Sequence, residues 1–315
     1  MKTVFIDGQE GTTGLGILDR LQSREDIQLI EIAKDRRKDP QAKAACLNAA
    51  DLVILCLPDQ AARESVGLIR NPATRVIDAS TAHRTSEAWV YGLPELSRRQ
   101  RDHIRLSTRV SVPGCYATGF ILNVHPLVDA GILPPDYPVT VHAVSGFSGG
   151  GKKLIEAYQN QSTEGAAALA YRPYALGLSH KHLPEMQKLT GLRHAPLFAP
   201  SVGNFFKGML VAVPLFPRLL NRRVTAAEVR DSLADFYAGE PFVQVMPWES
   251  AGHLDGGFLS PTACNGTNRV ELFVFGHDRQ ILLTARLDNL GKGSSGAAVQ
   301  NMNLMLDLPE DMGLA

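Results

Sequence analysis

VFIDGQEGTTGLG, residues 4–16, decides the fold. Thr3–Ile6 is apolar and short enough for a strand. A turn follows with glycines at positions 8, 11, 14 and 16, and a helical pattern then runs to Leu21. Glycines let a backbone approach a pyrophosphate, and the next helix offers N–H groups at the positive end of its dipole. Gly8, Gly11, Thr12, Thr13 and Gly14 are therefore candidate dinucleotide-binding residues. The spacing is GxxGxxG, so the alternative is a bare structural turn, and context must decide.

The context is a repeated strand–helix pattern. Ile27–Ile32 reads as a second strand. Asp51–Leu57 (DLVILCL) is a nearly continuous apolar run ended by Pro58, as suits a strand covered on both faces. Residues 60–70 read as a helix and Arg75–Ala79 as the next strand. This spacing means βαβ units and a parallel sheet. After the second strand comes AKDRRKD, residues 33–39. Arg36, Arg37 and Lys38 lie where the 2′-phosphate of NADP would sit, and guanidinium forks suit phosphate oxygens. Asp35 pulls the other way, toward NAD, and a solvated charge run is the plain alternative.

DASTAHRT, residues 78–85, closes another strand at the carboxyl end of the sheet, where ligands bind. Ser80 is a candidate cofactor contact and Arg84 a candidate anion clamp, with Arg109 as a weaker second.

Past residue 115 the pattern changes. Residues 117–130 are helical and stop at Gly131. Residues 138–145, 198–216, 241–247, 269–275 and 280–287 supply strands, and the helix at 225–238 opens with the capping-box pair Thr225 and Glu228. The expectation is a Rossmann-like cofactor domain over 1–114 and an α+β domain over 115–288 with a mixed, largely antiparallel sheet. The segment 289–315 is expected to return as a helix to the first domain.

Cys115 follows Pro113–Gly114 and opens an apolar helix. A thiolate there is stabilised by unpaired amides and the dipole. By contrast Cys56 lies within a strand, Cys46 on a helix face and Cys264 in a loop. A dinucleotide domain followed by an activated cysteine suggests acyl–enzyme redox chemistry. GLSHKHLPEMQK places His180 and His182 on one side of an extended segment. Either ring can act as general acid or base, with Glu185 orienting it. Two histidines and a glutamate without a thiolate partner are a weak zinc signal, and no metal is expected. In SGFSGGGKK, Ser148, Gly149 and Lys152 could hold a phosphate or carboxylate. The segment lacks a full P-loop pattern. In the segment 288–305, Asn289 is a candidate cofactor contact.

The chain has 315 residues, with 32 basic and 32 acidic side chains. The balance argues against a nucleic-acid partner, and the length favours two domains. No secretory signal and no apolar run long enough to span a membrane is read. Reduced cysteines in the cytoplasm are the simplest expectation.

DGQEGTTGL (7–15), VSVPGCYATG (110–119), SGFSGGGKK (145–153), SHKHLPEM (179–186) and LGKGSSGAAVQNMN (290–303) together resemble the short form of N-acetyl-gamma-glutamyl-phosphate reductase, in the semialdehyde dehydrogenase group. The resemblance implies NADPH-dependent reduction of N-acetyl-glutamyl 5-phosphate to the 5-semialdehyde, in arginine biosynthesis. It implies Cys115 as the thioester-forming nucleophile, one of His180 and His182 assisting with Glu185 in support, and a homodimer or homotetramer. Two rival readings remain. One is a semialdehyde dehydrogenase for an aspartate- or lysine-type substrate. The other is a non-catalytic dinucleotide-binding regulator, in which Cys115 would lie far from both histidines.

Overall fold

The computed structural model describes residues 1–36, 39–160, 165, 168–248 and 250–314. The chain divides into two compact units, residues 1–113 with 294–315, and residues 114–293. The second boundary falls after Gly293 rather than at 288, because the turn 289–293 is bonded into the second unit.

In the first unit β1 (Lys2–Asp7), β2 (Ile27–Ile30), β3 (Leu52–Leu55), β4 (Arg75–Asp78), β5 (Val90–Tyr91) and β6 (Arg109–Ser111) form one sheet in the order β2-β1-β3-β4-β6-β5. Every pairing in it is parallel. The DLVILCL run becomes β3, whose four residues are fully buried, as a strand covered on both faces must be. One face packs Val4, Ile17, Ile54 and Ile77 against Ala298 and Met302. The other packs Phe5, Val53 and Val76 against Leu47 and Ala62.

The C-terminal helix Gly296–Met305 belongs to this unit and is buried along its whole length. Small residues allow close packing, and its polar side chains find partners. Asn301 donates to the Gly92 carbonyl at 2.9 Å and Gln300 to Glu95 at 2.9 Å. Arg75 holds the end of this helix through the Met305 carbonyl and also bonds the Ser107 carbonyl. The strands β5 and β6 were not expected, since two or three residues carry no readable periodicity.

The second unit carries β7 (Thr140–Gly146), β8 (Tyr171–Pro173), β9 (Leu197–Gly203), β10 (Met209–Leu215), β11 (Val243–Val245), β12 (Val270–His277) and β13 (Gln280–Leu287), ordered β11-β12-β13-β10-β7-β9-β8. Four of the six pairings are antiparallel. The apolar stretch 198–216 breaks at Asn204–Gly208 into β9 and β10, which flank β7 instead of pairing with each other. The capping box at Thr225 and Glu228 forms as the sequence indicates.

Helix Cys115–Asp129 lies on the inner face of this sheet. A Cβ on Gly119 would come within 2.9 Å of Val211 and 3.3 Å of Ala285, so the helix rests almost directly on β10 and β13. Pro126 sits inside this helix. Proline has no N–H to give the carbonyl four residues back. That carbonyl, of Leu122, accepts instead from the Tyr237 hydroxyl at 2.8 Å. Among the described residues no helix is long and apolar enough to cross a membrane.

Tyr237→Phe should therefore leave a buried acceptor unpaired and cost about 1–3 kcal/mol. Urea unfolding should show a lower midpoint with an unchanged slope. A stability equal to that of the native chain would remove the role given to this hydroxyl.

Candidate active site

The glycine turn of the first unit is shaped by contacts that only glycine permits. Gly8 has φ +90°, and a Cβ there would lie 2.4 Å from the Cys56 carbonyl oxygen. A Cβ on Gly14 would lie 2.5 Å from the Gly8 oxygen. Gly11 is the N-cap of helix Thr12–Leu21 and supplies no capping side chain. The first amides of the helix, on Thr12, Thr13 and Gly14, therefore meet no cap and suit a phosphate. The Thr13 hydroxyl is bonded to Ser294 at 2.9 Å. This turn fits a dinucleotide pyrophosphate.

The basic cluster is only partly placed. Arg36 ends a short 3-10 turn and pairs with Asp39 at 2.9 Å, while staying largely exposed. Asp39 in turn caps helix Pro40–Ala49 through the amides of Gln41 and Ala42. Hydrogen bonding to Arg36, then to those amides, holds its carboxyl below the usual range. Arg37 and Lys38 lie outside the described residues.

Ser80 serves the buried Asp78. Its amide and hydroxyl reach the Asp78 carboxylate at 2.9 and 2.8 Å, and His83 Nδ1 lies 2.6 Å from the same carboxylate. His83 also stacks on Trp89 at 4.1 Å. Arg84 turns its guanidinium to the carbonyls of Val112 at 2.9 Å and Ala79 at 3.2 Å, so it braces the ends of β4 and β6.

Arg109 does not fit the substrate role expected of it. It opens β6 at the amino end of a parallel sheet, opposite the ligand end, and donates to the Thr74 and Thr108 carbonyls at 3.0 Å.

In the second unit Cys115 is the first residue of its helix, half-buried, with Gly114 as an N-cap that has no side chain to give. Helix amides and dipole therefore face the sulfur. Gly293 presses on it, since a Cβ there would lie 2.8 Å from the Cys115 Cβ.

The histidines stand beside this helix. Their ring centroids are 4.6 Å apart at 88°, and the Tyr116 ring lies 6.0 Å from His180 and 5.9 Å from His182. The His182 amide donates to His180 Nδ1 at 3.1 Å, so a neutral His180 carries its proton on Nε2. His182 precedes helix Leu183–Thr190 and is buried.

Glu185, on the first turn of that helix, is also buried. Its Oε2 accepts from the Gly114 amide at 3.1 Å, so this carboxylate holds the entry to the cysteine helix. Burial raises the Tyr116 hydroxyl well above its ordinary value and pushes Tyr174 up to about 12.

Ser148 is buried in the short turn Phe147–Gly150 and accepts from Asn289 Nδ2 at 3.0 Å, while Asn289 Oδ1 accepts from the Gly208 amide at 2.8 Å. Asn289 thus ties the glycine loop to β10, within the second unit. Gly149 is exposed beside it. Lys152 points into solvent, with Glu156 at 3.9 Å. The sequence reading missed Asp78, and it missed Lys207, whose Nζ lies 3.2 Å from the buried Asp288. Lys207 sits in NFFKGM, a stretch with no motif, so nothing in the sequence marks it.

Comparison with known proteins gives the class first. Residues 3–105 match the family model "Semialdehyde dehydrogenase, NAD binding domain", and residues 115–289 match "Semialdehyde dehydrogenase, dimerisation domain". Two solved structures share the fold at low identity. Aspartate semialdehyde dehydrogenase II of Vibrio cholerae, complexed with ASA, has TM-score 0.70 at 15% identity, covering 98% of both chains. Aspartate semialdehyde dehydrogenase of Francisella tularensis has TM-score 0.71 at 13% identity, covering 97% of this chain and all of its own. Two curated relatives are far closer. N-acetyl-gamma-glutamyl-phosphate reductase 2 of a Nostoc species is 51% identical over 99% of this chain and 98% of its own. The enzyme of the same name from Pseudomonas putida is 50% identical over 96% of each. The chain therefore belongs to the N-acetyl-gamma-glutamyl-phosphate reductases, within the semialdehyde dehydrogenase family.

The thiols should separate by reactivity. Burial pushes Cys264 up to about 11, and burial with Asp78 and Asp7 nearby raises Cys56 further. At pH 8 a thiol near 11 holds roughly one thiolate in a thousand. Iodoacetamide at pH 8, followed by peptide mapping, should label Cys115 first and spare Cys56 and Cys264 until urea is added. Labelling of Cys264 at the rate of Cys115 would contradict the assignment.

Proposed function

We propose that the chain reduces N-acetyl-L-glutamyl 5-phosphate to N-acetyl-L-glutamate 5-semialdehyde, releasing phosphate, with NADPH as reductant. The observation that carries this reading is Cys115 at an uncapped helix start beside two histidines, in a chain half identical to reductases of that name.

The Cys115 thiolate attacks the acyl carbon. A C–S bond forms, the C–O bond to phosphate breaks, and a thioester remains. Bound NADPH supplies the hydride that converts this thioester to the hemithioacetal level. His180 or His182 gives a proton to the hemithioacetal oxygen and later takes it back as the C–S bond breaks, returning thiolate and aldehyde. Glu185 keeps Gly114, and with it the sulfur, at the helix entry. Gly8, Gly11, Thr12, Thr13 and Gly14 hold the pyrophosphate, Arg36 with its neighbour Arg37 in sequence favours the 2′-phosphate, and Ser80 shapes the cofactor loop. Ser148 and Gly149 offer hydrogen-bond donors to the substrate.

The protein acts in the cytoplasm as a homodimer or homotetramer. The outer face of the seven-stranded sheet supports this. On β10, Leu210, Ala212 and Pro214 are half-exposed between buried Met209, Val211, Val213 and Leu215. Strand registers set Val144, His142, Ala199 and Leu282 beside them, with Thr284 and Arg286 as the polar members of the row. The half-exposed aliphatic residues of this face, Leu210, Ala212, Pro214, Val144 and Leu282, fit a second copy better than water.

C115S should lower phosphate-dependent NADP reduction with N-acetyl-glutamate 5-semialdehyde by at least about 10³-fold while cofactor binding persists. Unchanged turnover rejects the thioester route. A preference of the native chain for aspartate semialdehyde rejects the substrate. Arg36→Ala should raise the KM for NADPH about tenfold, ~1.4 kcal/mol, and an equal effect on NADH would remove its 2′-phosphate role. Ala212→Arg should give a smaller species in sedimentation than the native chain, and the same mass in both would exclude this face.

A further inference from the structure

We propose that Lys207 is the cationic group that receives an oxyanion end of the substrate, its phosphoryl group or its carboxylate. The inference rests on the reading above that the substrate is an anionic acyl phosphate.

Of the cations that the sequence marks, Arg84 directs its guanidinium at the Val112 and Ala79 carbonyls, and two more are ill placed for this. Lys152 extends into solvent, with its side chain 83% exposed, and Arg109 is at the far end of its sheet. Lys207 is set differently. Its side chain is 32% exposed, and its Nζ lies 3.2 Å from the Oδ2 of Asp288, a carboxylate with 1% exposure. That carboxylate also accepts from the amides of Gly266 and Leu290, each at 2.8 Å. Its charge is thus shared among three donors. An ammonium has three N–H donors, so Lys207 keeps donors beyond the one directed at Asp288. A cation anchored from beneath and open above is pre-organised for an anion.

Its neighbours are those of the candidate site. The Gly146 amide donates to the Gly208 carbonyl and the Ser148 amide to the Phe206 carbonyl, each at 2.9 Å, so Lys207 is stitched to the glycine loop from both sides. Asp288 also reaches toward Cys115. Its main-chain oxygen accepts from the Gly293 amide at 3.0 Å, and Gly293 presses on Cys115. One residue therefore joins the cation to the turn that bounds the nucleophile. Ser148, Gly149 and Lys207 together make a donor set for an oxyanion.

The test runs the oxidation direction, where inorganic phosphate and the semialdehyde are varied separately. K207M should raise one KM by about 10- to 100-fold, with kcat, NADP affinity and the Cys115 alkylation rate near those of the native chain. K207R should recover much of the loss. A rise confined to phosphate identifies the phosphoryl group, and one confined to the semialdehyde identifies the carboxylate; either supports the proposal. Both KM values within twofold of native overturn it. So does a fall in stability or alkylation rate with both KM values unchanged, because Lys207 is then only the counter-ion of Asp288. If K207M does not fold, K207M with D288N removes both charges of the pair together and takes its place in the same assay. If the native chain shows no turnover, the functional reading has failed. Calorimetry with inorganic phosphate and, separately, N-acetyl-glutamate on native and K207M protein then decides, binding of either lost in K207M supporting the site and equal or absent binding of both overturning it.

Discussion

The second unit depends on the close approach of helix Cys115–Asp129 to its sheet. Gly119 leaves no space for a Cβ between the helix and Val211, and Gly293 leaves none beside Cys115. Contacts this tight have two effects. They give the helix start one position, because displacement would open voids or force overlaps in a close-packed interior. They also bring the main chain of the 288–293 turn onto the cysteine, where any side chain at 293 would collide. The chemistry needs a thiolate in a fixed place, and packing fixes it before any polar contact contributes.

Polar contacts then fix the orientation. A glycine N-cap leaves the helix start without a capping side chain, at a cost of roughly a few tenths of a kcal/mol. Here Glu185 reaches the Gly114 amide from another helix and holds the entry. The same segment carries both histidines. Helix Leu183–Thr190 and the residues just before it thereby set the two histidines and the Gly114 backbone relative to each other. The sequence reading gave Glu185 the role of orienting a histidine. The bond to Gly114 shows that its grip extends to the cysteine helix.

Most of the fold was legible because hydrophobic periodicity reports burial directly. DLVILCL could only be a strand covered on both faces, and VTVHAVS alternates as β7 does. Among the elements that escaped, β5, β6 and β8 are two or three residues long, and the helices Gln100–Leu106 and Lys152–Gln159 are only seven and eight, too short for a period to show. The candidate site was legible where local chemistry is written in local sequence: a glycine turn, a cysteine at a helix start, an HxH segment. It was not legible where partners come from distant positions. Arg109 lies close upstream of Cys115 in sequence, yet parallel strands carry it to the opposite end of the sheet. Lys152 is next to the glycine loop in sequence, yet the helix it opens turns it to solvent. Asp288 and Lys207 are 81 residues apart and meet only through the folded sheet.

Equal numbers of basic and acidic residues say little about a protein that handles anions, because charge acts over a few ångströms in a site and is screened beyond about 10 Å. What decides is which charges are half-buried and how they are paired. Arg36 and Asp39 are exposed partners in water, so they can rearrange around a phosphate at little energetic cost. Arg286 and Glu271 are buried partners; breaking them would strand a charge, so they stay structural. Lys207 lies between these limits: its carboxylate partner is buried and its own ammonium is not. That asymmetry keeps the cation in place without covering it, which is the arrangement an anion-binding group requires.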